Sequence, residues 1–95
     1  MTTLHVLSHS PFSDTRLGSC LRLLGSEDAV LLCGDGVYAL QLQGSALTSL
    51  EEKTVFILEE DLQVRNLKCP TWATGVDYPA FVELSIRYDK VNTWL

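Results

Sequence analysis

The chain has 95 residues, enough for one domain spanning residues 1–95 and too few to divide into two compact units. With 46% hydrophobic and 20% charged residues it can build a core, which excludes a disordered tail. Seven Lys and Arg against twelve Asp and Glu give a net charge of −5, which argues against direct nucleic-acid binding, because capture of a phosphate backbone needs clustered cations.

No apolar run approaches the roughly 18–20 residues of a membrane span. The start, Met1-Thr2-Thr3-Leu4-His5, lacks the basic region and apolar stretch of a signal peptide. Cys20, Cys33 and Cys69 are an odd set without close pairing, as expected of free thiols in an intracellular protein.

In chain order, Leu4–Leu7 reads as a first strand ending in the turn-rich Ser8-His9-Ser10-Pro11. Ser13 or Asp14 is placed to cap a helix with Leu17, Cys20, Leu21 and Leu24 on one face, closed by Gly25-Ser26. Asp28–Cys33 is the near-continuous apolar run of a strand covered on both faces. Gly34-Asp35-Gly36 punctuates it, Val37–Leu40 reads as a short helical segment, and Gln41–Glu52 as a weakly patterned connector with partial helix.

Thr54–Leu58, β-branched and aromatic, is a third strand. The carboxylates of Glu59-Glu60-Asp61 suit the positive end of a following helix, with Arg65 and Lys68 near its end and Asn66 as a left-handed stop. Cys69–Gly75 is a loop and Gly75-Val76 a residual fourth strand. Asp77 followed by Pro79 starts a helix carrying Phe81, Leu84 and Tyr88 on one face. The tail Asp89–Leu95 ends in Trp94-Leu95, apolar enough to dock. This alternation predicts an α/β fold, a small three-layer sandwich with a mainly parallel sheet of four or five strands flanked by helices.

Generic catalytic motifs are absent. Gly34-Asp35-Gly36 lacks the third glycine of a dinucleotide fingerprint and reads as a tight turn. Neither a phosphate-binding G-x-x-x-x-G-K-[ST] nor a G-x-S-x-G hydrolase elbow occurs. His5 and His9 have no cysteine or carboxylate pair at ligand spacing, so no metal or cofactor is expected. Cys20 on an apolar helix stripe reads as a small buried hydrophobe, and Cys33 follows an apolar strand. Cys69, in a loop, is the most accessible, and Lys68 beside it is expected to favour its thiolate. The aromatic surplus Trp72, Tyr78, Phe81, Tyr88 and Trp94 exceeds what so small a sheet can cover and points to an interface.

Several stretches together resemble the TusB/DsrH family of DsrE-type sulfur-relay subunits. They are Leu4-His5 through Ser10-Pro11-Phe12, Cys20-Leu21-Arg22-Leu23-Leu24, Asp28–Leu32, Asp35-Gly36-Val37-Tyr38-Ala39, and Glu60-Asp61-Leu62 with Arg65. The most specific are Val76-Asp77-Tyr78, Phe81-Val82 and Asp89-Lys90-Val91-Asn92-Thr93-Trp94. The resemblance covers nearly the whole chain. It implies a DsrE-like fold and a cytosolic heterohexamer with TusC-like and TusD-like subunits. Such a complex takes persulfide sulfur from a TusA-like donor and passes it to a TusE-like acceptor for 2-thiolation of the tRNA wobble uridine. The alternative it implies is a DsrH subunit of a DsrEFH complex in dissimilatory sulfur oxidation. In the TusD/DsrE sisters the sulfur-carrying cysteine follows the third strand, where this chain has Glu59-Glu60-Asp61 and no thiol. The resemblance therefore implies an auxiliary, non-catalytic subunit. Cys20, which some DsrH-like members retain, is the one candidate persulfide carrier. An isolated subunit of this kind is expected to self-associate through its orphaned interface.

Overall fold

A computed structural model describes residues 1–94; Leu95 lies outside the described residues. Five strands, β1 (Thr3–Leu7), β2 (Ala29–Leu32), β3 (Thr54–Leu58), β4 (Thr74–Val76) and β5 (Lys90–Trp94), form one sheet in the order β4-β3-β2-β1-β5. Every neighbouring pair is parallel. Four α-helices accompany them: α1 (Arg16–Leu23), α2 (Gly44–Glu51), α3 (Glu59–Val64) and α4 (Tyr78–Arg87). A 3-10 helix, Gly34–Gln41, follows β2.

Side-chain alternation splits the strands between two cores. On one face Leu7, Val30, Leu32, Val55 and Ile57 pack against Leu17 and Cys20 of α1, Val37 and Ala39 of the 3-10 helix, Leu50 of α2 and Leu62 of α3. On the other, Leu4, Val6, Ala29, Leu31, Leu58 and Val76 pack against Leu84, Ala80 and Phe81 of α4 and Tyr88 beyond it. Topology explains the division. The chain steps from β1 to β4 in one direction, so right-handed crossovers put α1–α3 on one face. It then returns across the whole sheet from β4 to β5, and the same handedness puts α4 on the opposite face. The expected α/β sandwich with a parallel sheet is the observed architecture, and the sheet has five strands.

Local chemistry accounts for the ends of the elements. Asp77 caps α4, its carboxylate accepting the Ala80 N–H at 2.9 Å, with Pro79 in the first turn. Asn66 adopts the left-handed stop after α3, at φ 55°. At α1 the cap differs from expectation: Thr15 occupies the capping position without a side-chain bond, and Asp14 Oδ1 accepts the Arg16 N–H at 2.9 Å. The connector Gln41–Glu52 is more ordered than its pattern suggests, because α2 needs to bury only Leu50 to dock. The tail is a full edge strand, with Trp94 half-buried against the α1 side.

Candidate functional site

Parallel α/β sheets present their chemistry at the carboxyl ends of the strands. Here that edge carries Ser8–Ser10 after β1, Cys33-Gly34-Asp35 after β2, Glu59-Glu60-Asp61 after β3 and Asp77 after β4. Gly34-Asp35-Gly36 is a sharp entry into the 3-10 helix. Gly34 has φ 51°, and a Cβ on Gly36 would stand 2.3 Å from the Leu7 carbonyl oxygen. Only glycine fits so close a backbone approach.

Arg65, at the end of α3, clasps this turn to the helix. Its guanidinium donates to Asp35 Oδ1 at 2.9 Å and to the Asp61 carbonyl at 3.1 Å, and lies 5.7 Å from the Tyr38 ring centre. Asp61 Oδ2 accepts the Gly34 N–H at 2.7 Å. Both carboxylates and the cation are thus engaged with one another. This clasp was invisible in sequence because Asp35 and Arg65 are 30 positions apart.

The thiols are not activated. Cys20 is fully buried on the α1 stripe, and burial, reinforced by the Asp28 charge, pushes its thiol up to about 12. At pH 7 that leaves roughly one thiolate in 10⁵. Cys33 is pushed up by burial and then by Asp61. Cys69 is exposed, yet its thiol is also raised, first by partial desolvation and then by Glu59; the Gly75 N–H opposes this. The three cysteines belong to separate environments, and no histidine is brought to them as a base by any hydrogen bond or ion pair among the described residues.

One proximity was missed in the sequence: the loop before β4 brings Cys69 into the field of Glu59, at the start of α3. Glu59 itself packs over Gly75, where a Cβ would stand 2.9 Å from its side chain. The parallel pairing of β3 with β4 brings these residues together, and the sequence gives no direct sign of it.

The histidines part company. His9 is exposed in the loop after β1. His5 is buried at 6% exposure; its Nδ1 accepts the Trp94 Nε1–H at 3.0 Å, and its Nε2 lies 3.7 Å from Asp28 Oδ2. Trp94 can only donate, so this bond requires the tautomer with Nδ1 unprotonated. Asp28 also accepts the N–H groups of Gly25 and Thr3, at 2.8 and 2.9 Å, which hold its carboxyl below the usual range. His5 is thus a strand residue that ties β5 to β1. Among the described residues no group of three or more His, Cys, Asp and Glu side chains could hold a metal ion, and no helix is long and apolar enough to cross a membrane. A groove of about 690 Å³ along the α1–α2 seam, lined by Leu17, Leu21, Leu42, Ala46, Arg22 and Lys53 among others, contains none of the cysteines.

Fold and edge together define an α/β domain with an all-parallel five-stranded sheet whose strand ends carry acids and a closed salt-bridge clasp. Its overall shape matches the crystal structure of the ychN protein from E. coli with a TM-score of 0.76 at 18% identity, covering 99% of this chain and 100% of that one. The family described as DsrH like protein matches residues 9–91. Proteins named Protein TusB from Yersinia pestis (strain Pestoides F) and Yersinia pseudotuberculosis serotype O:1b (strain IP 31758) are each 36% identical over 95 residues, covering 96% of this chain and 99% of the relative. The chain belongs to the DsrH family.

Proposed function

We propose that this chain is the TusB-type subunit of a cytosolic sulfur-relay complex that serves 2-thiolation of the tRNA wobble uridine. In this reading it shapes the complex with TusC-like and TusD-like subunits, while sulfur passes through a sister subunit between a TusA-like donor and a TusE-like acceptor. The observation that carries the reading is the near full-length relationship to proteins named TusB. The auxiliary role draws support from the strand ends. Sulfur exchange requires an accessible thiolate, and the end of β3 offers Glu59-Glu60-Asp61, whose charges oppose one. Cys20, the carrier that a DsrEFH-type role in sulfur oxidation would use, is on the buried face of α1 with its thiol pushed up to about 12. It could take sulfur only if α1 lifted from the sheet.

The test is reconstitution. Co-expressed with the TusC-like and TusD-like proteins of its own genome, the chain is expected to co-purify in fixed proportion, and its deletion to lower wobble 2-thiouridine. A chain that stays apart from both partners, or a deletion that leaves thiolation intact, overturns the reading.

A further inference from the structure

A helix on the surface of a monomer buries one stripe and turns polar residues outward. Helix α4 does not. Leu84, Ala80 and Phe81 meet the sheet, but Tyr78, Val82 and Ile86, spaced four apart along the opposite side, are 50%, 57% and 78% exposed. On the edge strand β5, Val91 is 43% exposed and, through its pairing with Leu4, points to the side of the sheet that α4 covers. A helix apolar on both sides is a helix meant to be covered.

The charges flanking the stripe say by what. Glu83 and Arg87 lie on one flank, both exposed, and among the described residues neither has an ion-pair partner. A flank that reads acid and then base is complementary to itself only when run antiparallel; a parallel copy would set Glu83 against Glu83 and Arg87 against Arg87. With a two-fold axis passing at the level of Ser85, the Ile86 side chains of two copies meet beside the axis. Glu83 of each copy then comes level with Arg87 of the other, and Val82 closes each end of the apolar strip. The patch is electrically neutral, so two chains of net charge −5 can meet there without opposing like charges directly.

We propose that the outer face of α4 is an isologous docking surface for a second copy of this chain, packed antiparallel about Ile86 and locked by reciprocal Glu83–Arg87 pairs. This goes beyond the subunit reading and does not depend on it. A stable dimer buries about 800 Å² per partner. One ten-residue helix with Val91 offers less, so the association is weak and concentration-dependent.

Sedimentation velocity on the wild-type chain, from about 5 to about 500 μM, reads it directly. The expected result is a monomer–dimer equilibrium that Ile86→Arg weakens at least about tenfold. Glu83→Arg alone and Arg87→Glu alone weaken it as well, and the double variant Glu83→Arg/Arg87→Glu recovers it. These positions face solvent, and unchanged circular dichroism and melting confirm that each variant folds. Three results overturn the proposal: a wild-type chain monomeric throughout, single charge reversals without effect, or a charge swap that fails to recover pairing. If instead Ile86→Arg abolishes co-purification with TusC-like and TusD-like proteins while the wild-type chain alone stays monomeric, α4 docks a different subunit. The second-copy assignment then fails and the subunit reading stands.

Discussion

The bond from Trp94 to His5 is the most exacting internal test of how the edge strand is held. Trp94→Phe keeps an aromatic ring against the core and removes only the Nε1–H that His5 Nδ1 accepts at 3.0 Å. His5 is 6% exposed, so its freed acceptor cannot readily find water. A buried polar group left without its partner costs about 1–3 kcal/mol. For a domain of this size that corresponds to a fall in melting temperature of about 4–8 °C per kcal/mol. The converse change, His5→Leu, leaves Trp94 Nε1 unpaired at a half-buried site that solvent can reach, and is expected to cost less through the hydrogen bond alone. The double variant removes donor and acceptor together, so its loss falls short of the sum of the singles. Urea unfolding followed by far-ultraviolet circular dichroism supplies the three free energies. A Trp94→Phe chain within about 0.3 kcal/mol of wild type, or a strictly additive cycle, would refute the coupling of β5 to β1 through this pair.

Other consequences are equally concrete. Gly36→Ala puts a methyl group into the Leu7 carbonyl oxygen and is expected to cost at least about 2 kcal/mol, measured by the urea midpoint; a neutral substitution would mean that the 3-10 entry relaxes freely. Under limiting thiol reagent at pH 8, Cys69 is expected to label first, Cys33 more slowly, and Cys20 only as fast as the chain opens; peptide mapping showing early Cys20 labelling contradicts the burial argument. Asp28, whose carboxyl is held low in the folded chain, contributes stability above its unfolded value near pH 4 that is lost as pH falls further through its folded value. Asp28→Asn should therefore flatten the acid limb of a stability–pH curve, and an unchanged limb would assign the acid sensitivity elsewhere.

Elements with a strong local signal were legible in sequence. Thr54–Leu58 reads as β3 to the residue because β-branched and aromatic side chains run unbroken between polar ends. Asn66 and Asp77 mark a helix stop and a helix start through their own side-chain chemistry. The tail was harder, because β5 exposes Lys90, Asn92 and Thr93 and lacks the apolar run of an interior strand. Helix α2 likewise buries one leucine and shows almost no periodicity. At the site, the missing thiol after β3 was visible in Glu59-Glu60-Asp61. The Arg65 clasp, the His5–Trp94 tie and the approach of Cys69 to Glu59 were not, since each joins residues that only the sheet order brings together.

The central claim is that this chain organises a sulfur relay without carrying sulfur itself. Intact-mass analysis of the reconstituted complex after exposure to a persulfide donor tests it most directly. The account predicts one added sulfur on the TusD-like sister and none on this chain. An added sulfur mapped to the Cys20 peptide would contradict it, and would show that α1 lifts from the sheet to expose the thiol it buries here.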